Sequence, residues 1–282
     1  MSYQPSALRL QREAAKRRAS RRSTLIAIAS TLIIGTILTI VVTGAPGFKA
    51  VKQSFFNGHY AAISFPHVLS GIWLNLRVLV VAGIVVLIFG LLIALARTSH
   101  SPVLYPVRLL ATIYTDIFRG LPLLLVLLLV GFGLPGLGIS WIPSSAVILG
   151  TVSLILTYSA YVGEVIRAGI EAVNPAQRMA GRALGLTQAQ TQRYVVLPQA
   201  LRKVTPALLN DLISLQKDSG LISVLGAIDA IRAAQIDTAQ SFNFTSYLVA
   251  GALFVSLTIP LTRFTDWLTN KQDRARVQQG QW

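Results

Sequence analysis

The sequence predicts an all-α protein, a polytopic bundle of about six transmembrane helices, on three observations. Hydrophobic residues make up 53% of the 282 and charged residues only 12%, about half the charged fraction of ordinary soluble domains. Six apolar runs each approach the roughly 20 residues that a helix needs to cross a hydrocarbon core about 30 Å thick. The basic residues concentrate in alternate connections between those runs, the positive-inside pattern of an inner-membrane protein.

In chain order the runs are 25–43, 72–96, 113–134, 146–167, 205–225 and 247–267. Seven of the 25 basic residues (Arg9, Arg12, Lys16, Arg17, Arg18, Arg21 and Arg22) precede the first run. That run is long for the apolar part of a signal peptide and no small-x-small cleavage pattern follows it, so it reads as a retained span. Threading the runs alternately gathers Arg97, Arg108, Arg178, Arg182, Arg193, Arg202, Lys203, Lys271, Arg274 and Arg276 on one side. The opposite connections hold only Lys49, Lys52 and Arg232. Both termini are therefore expected in the cytoplasm. The chain divides into a basic cytoplasmic tail (1–23), a first span with an external loop (24–70), a transmembrane domain (71–268) and a cytoplasmic tail (269–282).

A formal net charge of +15 in a soluble protein would suggest nucleic acid, but here the charges follow the membrane topology, and no nucleic-acid partner is expected. With no cysteine and three scattered histidines, no metal site or other cofactor is expected. No connection is long enough for an independent soluble domain. No glycine-rich phosphate loop with its lysine is present, so ATP hydrolysis is not expected of this chain and the protein reads as a non-enzyme.

The connection at 174–198 is the most informative. Asn174 suits an N-cap and Pro175 the first helical position, where a missing N–H is no loss. Gly185 can adopt the left-handed conformation that ends a helix, and Thr187 with Gln190 fits a capping box that opens another. Two short helices with a sharp turn follow. A plain reading is an amphipathic hairpin resting in lipid headgroups. A DNA-reading helix-turn-helix is a poor alternative, because both ends are tethered to spans.

The stretch resembles the EAA loop of ABC importer permeases, whose pattern is Glu-Ala-Ala, three residues, Gly, nine residues, then Ile-x-Leu-Pro. Ala180, Gly185, Val195, Leu197 and Pro198 fall at its spacing. Met179 stands where the family has glutamate and Gly181 where it has the second alanine. The sequence from Phe118 to Leu124, from Tyr158 to Ile170 and from Ser214 to Leu221 is similar to signatures of polar amino acid permeases. The resemblance runs from about 71 to 267, and is nearest to the longer permease subunit of actinobacterial glutamate importers.

The resemblance implies a type I importer transmembrane domain that moves an amino acid, with glutamate favoured, by alternating access. A coupling helix from about Pro175 to Leu184 would dock into a separate ATP-binding cassette ATPase. Ala180, Ala183 and Leu184 would face the cleft, Arg178 and Arg182 its rim. The implied partners are ATPase subunits, an extracytoplasmic amino-acid-binding protein, a second permease subunit in a homo- or heterodimer, and membrane lipid.

Polar groups inside spans are the other candidates, since each costs free energy in lipid unless it meets a partner or a cavity. They are Asn75, Arg77, Asp116, Arg119, Tyr158, Tyr161, Glu164, Asn210, Asp211, Gln216, Lys217 and Asp218. Asp116, Arg119 and Glu164 sit near span ends and read as ion pairs or snorkelling groups. Asn75, Arg77, Gln216, Lys217 and Asp218 are the candidate substrate pathway, the first four able to donate to a carboxylate. The same residues can equally brace spans together. A self-contained secondary transporter or channel is the alternative, but the repeated halves and matched helix breaks it favours are not evident.

Overall fold

The computed structural model describes residues 7–99 and 101–278, and its regular structure is helical throughout. The chain falls into two units, one up to Phe56 and one from Asn57. The first holds α1 (Ala7–Gly44) and the short α2 (Phe48–Phe55). From Arg21 to Gly44 every side chain of α1 is exposed, including Leu32, Ile34 and Leu38. Apolar side chains all round a helix suit lipid, not water.

The second unit opens with α3 (Gly58–Thr98), started by Asn57, whose Oδ1 accepts from the His59 N–H at 3.0 Å. Residues 58–70, expected in an external loop, are instead the first turns of this helix. At 41 residues it is about twice the length a bilayer core requires. A 3₁₀ turn at Pro102–Leu104 leads into α4 (Tyr105–Gly120), followed by α5 (Leu123–Leu128), a π-helical turn at Leu129–Gly133 and α6 (Leu134–Gly136). Next come α7 (Ala146–Glu171), α8 (Pro175–Ala183) and α9 (Gln188–Thr191). A second π-helical turn, Gln192–Val196, joins α9 to α10 (Leu197–Asp218). A 3₁₀ segment, Ser219–Leu225, then leads to α11 (Ala230–Ser241) and α12 (Thr245–Gln278).

Among the described residues, four helices are long and apolar enough to cross a membrane, or up to six when each of two bent pairs counts as one span. With the bent pairs counted as spans, the number agrees with the expected six or so. The third run turns by 107° between Gly120 and Leu123. Leu121 lies at φ −91°, ψ 136°, the extended conformation that a following proline imposes, and Pro122 has no N–H to continue the helix. The helix that carries the fifth run, Gln188–Leu225, meets α11 at a bend of 49°, just past Gly226, whose φ of +91° ends the 3₁₀ segment.

The main core joins α3, α7 and α10 through Val78, Val86, Leu154, Val162, Ile166 and Leu215. A second cluster joins α3, α11 and α12 through Val68, Ile72, Ala230, Ala234 and Ala250. Small residues let α3 and α7 approach closely. A Cβ on Gly90 would lie 2.6 Å from Val162 Cγ1. Such contacts drive association of helices in lipid, where the hydrophobic effect between them is absent.

Candidate functional site

The α8–α9 hairpin follows from its capping residues. Asn174 Oδ1 accepts from the Ala176 N–H at 2.9 Å, and Pro175 occupies the first turn. At the other end Gly185 has φ +84°, with its N–H donating to Arg182 O at 3.0 Å and that of Leu186 to Gly181 O at 3.2 Å. This is a Schellman motif, and it satisfies two of the carbonyls a helix leaves open. Thr187 and Gln190 form the reciprocal capping box, at 3.2 Å and 2.8 Å. Pro198 follows in the first turn of α10, and Leu197 packs against the main core.

Two cations fasten the hairpin to the bundle. Arg178 Nη2 donates to Ile170 O at 2.6 Å and Lys203 Nζ to Ala172 O at 2.7 Å. Ile170 lies in the last turn of α7 and Ala172 is its C-cap, so each positive charge meets the negative end of the helix dipole. Arg178, expected at a rim, is thus half-buried and turned inward, whereas Arg182 is exposed. Gly181 is buried against Thr191. Ala180 and Ala183 are exposed, as are Met179 at 65% and Leu184 at 83%, so the hairpin presents apolar groups outward.

The intramembrane candidates separate into two kinds. Asn75 and Gln216 are each only 3% exposed. Asn75 donates to Asp229 Oδ2 at 3.0 Å and accepts from the Ala230 N–H at 3.2 Å, holding the start of α11 against α3. Gln216 Oε1 accepts from the Thr258 hydroxyl at 2.7 Å, tying α10 to α12. Asn75 engages both its amide oxygen and its amide nitrogen in this bracing, and Gln216 its Oε1. Arg77 and Lys217 are exposed, Arg77 lying 5.6 Å over the Trp73 ring. Asp218 accepts from the Tyr158 hydroxyl at 2.6 Å.

Glu164 forms the centre of a charge cluster between α3 and α7. Arg97 Nη1 and Arg167 Nη2 each approach its carboxylate at 2.6 Å, and Arg119 lies at 3.8 Å. The structural reading of Glu164 and Arg119 therefore matches their surroundings, while Asp116 is exposed. A cavity of about 230 Å³ between α3, α7 and α10 is lined by Tyr158, Thr205 and Asp211 among apolar neighbours. Asp211 Oδ2 is buried without a hydrogen-bond partner. Asp211 stands out in the sequence only as one polar residue among several in spans; its place at a cavity depends on three helices meeting.

A helical bundle with several candidate membrane spans and an exposed, capped hairpin on one connection is the architecture of a polytopic membrane protein. The chain belongs to the family of binding-protein-dependent transport system inner membrane components, whose model matches residues 87–276. It is 37% identical over 199 residues to the arginine transport system permease protein ArtQ of Bacillus subtilis, covering 70% of this chain and 88% of that protein. It is also 37% identical over 214 residues to the putative glutamine transport system permease protein GlnP of Rickettsia prowazekii, covering 76% and 95%. Among solved structures, an amino acid ABC transporter with histidines matches at a TM-score of 0.66 and 36% identity, over 73% of this chain and 94% of that one. The MetNI methionine ABC transporter in an inward-facing conformation matches at a TM-score of 0.61 and 20% identity, over 73% and 96%, which bears on the fold alone. The fold is that of type I ABC importer permeases, and the protein is a multi-pass component of the inner membrane.

Proposed function

We propose that this chain is the permease subunit of an ABC importer for a polar amino acid, and that it drives alternating access through α8 docked on a separate ATPase. The outward-facing apolar surface of the hairpin carries this reading. Met179 and Leu184 are exposed on a helix that caps at both ends hold rigid, and an exposed apolar patch on a rigid element fits a protein partner. The similarity to permeases named for arginine and glutamine supports a polar amino acid. Glutamate is the substrate favoured by the family resemblance of the sequence.

The remaining partners are an extracytoplasmic binding protein and a second permease subunit. Both termini lie in the cytoplasm on the distribution of Lys and Arg. Where the family carries glutamate this chain has Met179, so docking here relies on apolar contact, and an ion pair with the ATPase falls to the second permease. Along the route, the exposed cations Arg77 and Lys217 are the groups best placed for a zwitterionic or acidic substrate, whereas Asn75, Gln216 and Asp218 each already carry a hydrogen bond to another element.

The test is Gly185→Val in the reconstituted complex. A β-branched residue resists φ +84°, so the turn that orients α8 is lost. Substrate-stimulated ATP hydrolysis is expected to fall at least tenfold while the chain still inserts. Stimulation at the wild-type level would remove the coupling role.

A further inference from the structure

Behind the hairpin, where it faces the end of α3 and the start of α4, lies a cleft of about 740 Å³. Its polar lining includes Arg178 and Arg182 from α8, Thr191 and Gln192 from the α9 side, and Ser99 and Ser101 from the α3–α4 connection. No carboxylate is among its described lining residues. Thr191 is 4% exposed, and its hydroxyl has no hydrogen-bond partner; the same holds for the buried Gln192 Nε2. Arg182 enters no ion pair among the described residues, and Arg178 directs only Nη2 to Ile170, leaving other guanidinium N–H groups for a ligand.

We propose that this cleft binds a phosphate-bearing anion that bridges α8 to the α3–α4 connection. The sign follows from two guanidinium groups facing a lining without carboxylates. The phosphate class follows from the number and spread of donors. The Arg178 and Arg182 guanidinium groups on α8 face the Ser99 and Ser101 hydroxyls of the α3–α4 connection, and a phosphate group presents three strong acceptor oxygens that can serve both sides at once. Bound there, it ties α8 to the bundle on the side opposite its exposed apolar surface, so occupancy sets how rigidly the hairpin is held. Leu95, Leu104 and Val196 form the apolar part of the wall, compatible with a lipid headgroup whose chains run along α3 or with a soluble phosphate ester.

The experiment uses the purified full chain and reads binding alone, so its outcome is separable from that of the coupling test. Native mass spectrometry counts the phosphatidylglycerol retained from mixed phosphatidylcholine–phosphatidylglycerol nanodiscs. Calorimetry measures glycerol 3-phosphate binding in pure phosphatidylcholine. One retained phosphatidylglycerol, or saturable binding of the soluble ester, supports the site and identifies its source. Arg182→Gln is expected to weaken binding about tenfold or more, the usual size of a lost charge-assisted hydrogen bond. Gln192→Glu, nearly the same shape but placing a carboxylate in the cleft, is expected to do the same and serves if the first variant fails to fold. Absence of binding in both arms, or binding unchanged in the folded variants, overturns the proposal.

Discussion

The α3–α7 contact, made by small residues far apart in sequence, and the α8–α9 hairpin, made by local caps, treat apolar side chains in opposite ways. Along α3–α7, Val86, Val162 and Ile166 are buried in the main core, and Gly90 leaves room for nothing larger. On the hairpin, Met179 and Leu184 point outward while the caps and the two cations at the end of α7 hold the backbone. The difference teaches where each element finds its complement. The helix pair carries its complement within this chain; the hairpin surface is finished only by another molecule.

The largest expected effect breaks the first half of that contrast. Gly90→Leu forces a side chain into Val162 and the backbone at Gly163, whose N would lie 3.1 Å from the first added carbon. Overpacking of this severity costs about 3 kcal/mol or more, so the yield of folded chain in detergent, read by size-exclusion chromatography, should collapse. Normal yield would mean that α3 and α7 are free to separate.

A smaller effect sharpens the second half. Leu184→Ser removes an 83%-exposed side chain, and such surface changes usually shift stability by under about 0.5 kcal/mol. If a partner buries that leucine, about 1.5–3 kcal/mol of docking is lost. Folded yield should therefore stay unchanged while affinity for the ATPase subunit falls about tenfold or more. Equal affinity would place Leu184 outside the interface.

The smallest effect concerns Lys217, which is exposed within the bent fifth span. A charge at mid-membrane depth costs about 2.5–3.5 kcal/mol on insertion scales, so methionine should ease insertion. Lys217→Met is expected to lower uptake of labelled glutamate into ATP-loaded liposomes by severalfold while complex yield is kept. A parallel fall in yield would make Lys217 a brace.

Much of the hairpin was legible beforehand because its signals are local. Asn174, Pro175, Gly185, Thr187 and Gln190 act within four residues of themselves, through backbone geometry and caps that need no tertiary partner. The spans were legible as apolar length, but the break at Leu121–Pro122 was hidden inside a run whose hydropathy continues across it. The inward turn of Arg178 was equally hidden, since its acceptor is a carbonyl at the end of another helix.

By itself, then, the sequence determined the membrane class, the approximate spans and the capped hairpin, because hydrophobic length, charge asymmetry and capping are properties of contiguous residues. Only the tertiary structure decided which polar groups within the bundle are occupied. Asn75 meets Asp229, Tyr158 meets Asp218 and Gln216 meets Thr258 across sequence separations of 154, 60 and 42 residues. A polar side chain in an apolar run must find a partner or a cavity, and the run alone cannot say which, because the partner is set by how the helices pack.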